Sequence, residues 1–168
     1  MRANRFLGSA LVESGLITYD HIDAANQKLL DYIKAENLRQ ASLLNILIYE
    51  LQALKEDSLL NYIVQTHGLG LIDLSRYRFD KTFFESLGVD LELCWSTLTV
   101  PFDLVEGVSF LGTAYFLSVP IVEHWQETLK TNIVWYAAPI SSVVDALEKL
   151  TPKPEDAKAP GAAAPPKA

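Results

Sequence analysis

Leu7-Gly8-Ser9-Ala10-Leu11-Val12-Glu13-Ser14-Gly15-Leu16-Ile17-Thr18-Tyr19-Asp20-His21-Ile22 sets the reading of this chain, because its pattern returns 37 positions later. The second stretch is Leu44-Asn45-Ile46-Leu47-Ile48-Tyr49-Glu50-Leu51-Gln52-Ala53-Leu54-Lys55-Glu56-Asp57-Ser58-Leu59. Leu7 matches Leu44, Leu11 matches Ile48, and Leu16-Ile17 match Ala53-Leu54. Asp20 then matches Asp57, and Ile22 matches Leu59. Each copy reads as helix, turn, helix, and a repeat of this length implies two similar units packed together. The second copy has lost both glycines of the first.

Working outward, the first helix is expected over about Phe6 to Ser14, ended by Gly15 in the left-handed conformation of a helix stop. Thr18 is a good N-cap for a second helix, with Asp20 in its first turn facing the positive end of the helix dipole. Ile22, Ala25, Leu29, Leu30 and Ile33 are spaced for one buried stripe along it. A third helix is expected from about Ala41 to Leu51. A fourth, starting near Lys55-Glu56-Asp57 without a good cap, buries Leu59, Leu60, Ile63 and Val64.

After His67-Gly68 the period changes. Gly70 to Leu74 reads as a short strand and Asp80 to Gly88 as a short helix. Thr97 to Leu104 reads as a strand whose Pro101 suits an edge or an end. Val108 to Leu117 reads as its hairpin partner across Glu106-Gly107. Pro120 opens a helix through Leu129, Asn132 to Ala137 is a strand, and Ser141 caps a last helix through Leu150. The fold class expected is α+β: a helical subdomain over residues 1–68, then a small α/β subdomain over 69–150. From Thr151 to Ala168 the composition collapses to Ala, Pro, Lys and Gly. This tail over 151–168 is expected to be disordered, either a free end or a tether.

Composition narrows function. The chain has 168 residues, of which 49% are hydrophobic. That is enough for one substantial core or two small ones. A net charge of −7 with scattered cations opposes nucleic-acid binding and adhesion to anionic membranes. The single cysteine, Cys94 in Leu93-Cys94-Trp95, rules out an internal disulfide and reads as a packing thiol. No signal-peptide core and no run of ~18–20 apolar residues is present, so a cytoplasmic protein without membrane insertion is expected.

Catalytic signals are weak. His21, His67 and His124 lack partners at metal spacing, and His67 reads as a helix C-terminal residue, where a cation is favoured. Gly68-Leu69-Gly70 follows a helix and precedes a strand, the reverse of a dinucleotide fingerprint. Glu85, Asp90, Glu92 and Asp103 read as solvated carboxylates. No catalytic residues and no metal site are assigned, and the chain is read as a non-enzyme. Tyr115, Phe116, Trp125, Trp135 and Tyr136 cluster in the second half; most must be core, and a surplus would make a binding patch.

The repeat resembles the MshEN-like N-terminal domain found ahead of the assembly ATPases of type II secretion and type IV pili, over about residues 5 to 150. The family's pattern is Arg-Leu-Gly, two free positions, two aliphatics, two free, Gly, two aliphatics, with later Leu and Gln. Gly68 to Tyr77 is similar to the family's link into its first strand. Members that bind cyclic di-GMP use this repeat, an Arg fork suiting a guanine face or a phosphate. The resemblance therefore implies a candidate nucleotide site at Arg5, Leu7, Gly8, Leu11, Val12, Gly15 and Leu16, with cyclic di-GMP as the one ligand to consider.

The chain departs from that pattern. Phe6 stands where the Arg belongs, with Arg5 one position earlier, and Asn26 and Leu29 stand at the later Leu and Gln positions. In the second copy Leu43-Leu44-Asn45 replaces Arg-Leu-Gly, Gln52 the Gly and Thr66 the Gln. A charged hydrogen bond is worth ~1.5–3 kcal/mol, so losing both Arg positions removes several kcal/mol unless Arg5 and Arg39 compensate. No ATP-binding Gly-x-x-x-x-Gly-Lys-Ser/Thr is present. The expectation is a protein-interaction or regulatory module of a secretion, pilus or motility assembly, with no cofactor. The alternatives are a cyclic di-GMP sensor and an enzyme of unknown type.

Overall fold

The computed structural model describes residues 2–36, 42–115 and 117–151. The expectations for Arg39, for a helix start at Ala41, for Phe116 and for a tail beyond 151 lie outside the described residues.

The first helix pair forms as the sequence directs. α1 (Arg2–Glu13) ends before Gly15, whose φ is 72°. Glycine takes that left-handed conformation without steric cost and so reverses the chain. α2 (Tyr19–Lys34) starts at Thr18, whose Oγ1 accepts from the His21 N–H at 3.4 Å. His21 Nδ1 accepts from the Thr18 N–H at 3.3 Å, so both orphan donors are satisfied in a reciprocal capping box. Ala25 and Leu29 are buried as expected, but Leu30 and Ile33 are 45% and 40% exposed. The expected single stripe is thus split: one part enters the core and the other borders a groove described below.

The second pair repeats this plan with one change. Ser42 Oγ accepts from the Asn45 N–H at 3.4 Å and opens α3 (Leu43–Asn45), which passes at once into a π-helical turn, Ile46–Glu50. The continuous α-helix expected here is therefore corrected. Leu51 N–H reaches back five residues to the Ile46 carbonyl at 2.8 Å, whereas its counterpart Ser14 N–H reaches back four, to Ala10, at 3.0 Å. The extra residue in the turn keeps the consecutive apolar residues Ile46, Leu47 and Ile48 all buried. Gln52 has a φ of 50°, so the turn keeps the left-handed conformation after its glycine is gone. α4 (Glu56–His67) begins at Lys55 with no side-chain cap and ends at Gly68, φ 64°. Lys28 Nζ lies 2.8 Å from Glu50, and Tyr32 donates to the same carboxylate at 2.9 Å, tying α2 to the π turn.

β1 (Gly70–Leu71) is shorter than expected and leads to a 3-10 turn at Leu74–Arg76. α5 (Lys81–Ser86) is capped by Asp80. α6 (Leu91–Thr97), capped by Asp90, was not expected and displaces the start of the following strand. β2 (Thr99–Val105) and β3 (Val108–Thr113) form the expected hairpin across Glu106-Gly107, both with positive φ. That is the twist a two-residue hairpin prefers. α7 (Val119–Leu129) connects β3 to the parallel strand β4 (Asn132–Ala137), and α8 (Ile140–Leu150) ends the described chain.

The sheet is mixed, in the order β1-β4-β3-β2. Pro101 sits on the edge strand β2, and the register shifts just after it. At an edge its missing N–H costs no ladder bond. β3 is paired on both sides, by β2 and by β4, and ends at Thr113 and not at Leu117 as expected. Phe102, Phe110 and Tyr136 stack on one face, with Tyr77 5.0 Å from Phe102. Trp125 and Tyr115 are core residues at 0% and 2% exposure.

The buried side chains of the helical pairs and of the sheet form one continuous cluster. Two polar links join its ends: the Tyr115 hydroxyl donates to Asn4 Oδ1, and Ser141 N–H and Oγ donate to Glu56 Oε1 at 3.1 and 3.3 Å. Ser141 is therefore not the cap of α8, a position held by Pro139. Cys94 is wholly buried, and burial pushes its thiol well above the usual range. A packing thiol in an apolar setting behaves in this way.

Candidate functional site

Two clefts flank the repeat, one for each copy. The first is a groove of about 400 Å³ between α1 and α2, within the range of ligand pockets. α1 contributes Asn4, Arg5, Gly8, Ser9 and Val12, and α2 contributes Tyr19, Ile22, Asn26, Leu29, Leu30 and Ile33. The steps of three and four along α2 mark one helical face. Gly8 sets the groove's depth: a Cβ there would lie 3.2 Å from Ile22 Cδ1, so a larger residue would push the helices apart. Among the described residues Arg5 is the groove's single charged side chain, and no carboxylate lines it.

The second cleft, about 480 Å³, is lined by Tyr32 of α2, by Asn45, Tyr49 and Glu50 of the second copy, and by Ser141, Val144 and Asp145 of α8. Asn45 and Tyr49 are the counterparts of Gly8 and Val12. Its charges are acidic. Lys28 beside Glu50 holds that carboxyl below the usual carboxylate range, with help from the Tyr32 hydroxyl. Donors to the charged form favour it, so the group is ionised near neutrality. The Tyr49 hydroxyl lies 3.4 Å from Glu56, and burial and that carboxylate raise its pKa. An acidic lining repels a phosphodiester.

The groove brings Arg5, Gly8 and Val12 together. Leu7 and Leu11 do not line it and are fully buried in the core, Gly15 makes the exposed turn, and half-buried Leu16 packs on the core. The offset arginine faces the groove, whereas Phe6, at the family's Arg position, is 49% exposed outside it. Tyr19, Leu30 and Ile33 were not recognised as lining residues; the signal available was an apolar face on α2 wider than two buried rows require.

The other candidates carry no converging chemistry. Among the described residues no group of three His, Cys, Asp or Glu side chains is placed to hold a metal. Asp90 caps α6, and Asp103 accepts from the Leu104 N–H at 2.8 Å. His67 occupies the last turn of α4, but burial lowers its pKa. Its place at the helix C-terminus is the one expected, and desolvation there favours the neutral ring.

This arrangement of paired helices and a small mixed sheet defines the class as an α+β domain. No family model and no curated protein matches the chain. Among solved structures it is similar to MshE, solved with cdg, at 22% identity and a TM-score of 0.51, covering 86% of this chain and 98% of that one. It is also similar to the N-terminal domain of XpsE at 15% identity and a TM-score of 0.53, covering 89% and 97%. A second crystal form of XpsE matches at 0.52. The fold expected from the repeat is the fold found in MshE and in the N-terminal domain of XpsE. Among the described residues no helix is long and apolar enough to cross a membrane.

Proposed function

We propose that the chain is a non-enzymatic docking or regulatory module of a secretion, pilus or motility assembly on the cytoplasmic side, with a degenerate nucleotide site. The observation that carries this reading is the charge of the two clefts. Among their described lining residues they present one cation, Arg5, and the second cleft is lined by Glu50 and Asp145. Cyclic di-GMP brings two phosphodiester charges and two guanines, which call for several charged or forked donors. Leu43, Asn45 and Gln52 supply no such donor at the second copy's motif positions. Each lost charged hydrogen bond weakens binding by roughly one to two factors of ten.

A cyclic di-GMP sensor is the alternative, favoured by Arg5 and Gly8 facing one groove and by the likeness to MshE, which was solved with cdg. Isothermal titration of the purified chain with cyclic di-GMP, with cyclic di-AMP and GTP as controls, separates the two. The degenerate-site reading expects no heat of binding at high ligand concentration. Selective binding near micromolar that Arg5→Ala abolishes would replace it with the sensor.

A further inference from the structure

The α1–α2 groove is lined by two helices and is mostly apolar. Its lining residues on α2 run from Tyr19 to Ile33. That span is about four helical turns, enough to seat a helix of similar length. Its floor is Gly8, Val12, Ile22 and Leu29, and one rim is the exposed pair Leu30 and Ile33. Leu30 and Ile33 remain in water although the same helix buries Ala25 and Leu29 completely or nearly so. At one end stands Arg5, exposed, with no ion pair among the described residues.

We propose that this groove docks an amphipathic helix of a partner protein, its apolar stripe on Leu30 and Ile33 and a carboxylate facing Arg5. Complementarity selects this occupant. A net charge of −7 repels a second copy of the chain and an anionic bilayer. The chain's own residues 152–168 carry no apolar side chain larger than proline, so they have no anchor for a 400 Å³ groove. An apolar floor with a single cation matches the i, i+3, i+4, i+7 anchors and lone acidic partner of a docked helix. The inference rests on the non-nucleotide reading of the site and names its partner's chemistry.

The test uses the isotope-labelled full chain and two synthetic amphipathic peptides of about 15 residues, the length of four turns. They are identical except that one carries Glu and the other Lys beside the leucine stripe. The Glu peptide is expected to shift amide resonances within residues 4–33 and to bind on the order of tenfold tighter than the Lys peptide. Arg5→Glu should invert that order, and the uncharged change Leu30→Ser, at a 45% exposed position, should weaken both. Shifts confined to another face, or an order unmoved by Arg5→Glu, would overturn the proposal. Cyclic di-GMP added to the same sample distinguishes the failures. Nucleotide-induced shifts overturn the degenerate-site reading, whereas silence toward both peptides and nucleotide overturns the docking groove alone.

Discussion

The two helix pairs share a skeleton and differ in their surfaces. Leu7 and Leu44 are both fully buried, Ile17 and Leu54 nearly so, and both turns pass through a left-handed residue, Gly15 or Gln52. What differs is what faces outward. The first pair keeps Gly8 and a groove with one cation; the second has Asn45, a π turn and an acidic cleft partly walled by α8. Core positions are held by cavity cost and turn positions by backbone sterics, and these are the features the two copies share. The first pair carries an open groove, and the second meets α8 through Glu56 and Ser141.

The largest test of that comparison is Leu7→Ala against Leu44→Ala. Each should lose about 2–5 kcal/mol in urea unfolding, because each leaves a cavity in the shared core. A much milder Leu44→Ala would show that the second pair is not an equal structural half. Next, Gly15→Ala should cost roughly 1–2 kcal/mol, since a left-handed backbone disfavours a Cβ. Gln52→Gly, at a turn of the same hand, should gain about 0.5–1 kcal/mol after glycine's own entropy is subtracted. Opposite signs are required of this pair. The caps give a smaller contrast: Thr18→Ala should lower stability by about 1 kcal/mol, and Lys55→Thr should raise it by a similar amount in thermal melts.

The smallest effect is pH-dependent. Glu50 has a folded pKa depressed chiefly by its hydrogen bond to Lys28, so its contribution is present above the usual carboxylate pKa. It is lost as pH falls through the folded value. Lys28→Met should therefore flatten the acid limb of the stability profile slightly, and more in low salt than in high. An unchanged limb would mean that the link between α2 and the π turn is screened out by solvent.

The legible parts of the fold were those written in local chemistry. Thr18 and Gly15 announce a cap and a stop within a few residues, and Asn132 to Ala137 is a strand between clear breakers. The π turn was hidden because Leu43, Leu44, Ile46, Leu47 and Ile48 form an almost unbroken apolar run that no single period describes. α6 was missed because seven residues are too few to show a helical period, and Asp90 was read as a solvated carboxylate and not as a cap. Of the groove, Arg5, Gly8 and Val12 could be read from the repeat. Leu30 and Ile33 could not, since an apolar residue facing a groove and one facing the core obey the same spacing.

Glu56 has a further consequence for how the chain reaches this state. Its carboxylate stands in the first turn of α4 and accepts from the first turn of α8, 85 positions later; Asn4 and Tyr115 join across 111. Loop closure over such separations must precede any reward from the contacts, which slows folding relative to a purely local helical bundle. During synthesis the helix pairs emerge first, with the apolar surface destined for β4 and α8 still uncovered. Cooperative closure of the core waits for residues 140–150, the last helix to leave the ribosome among the described elements.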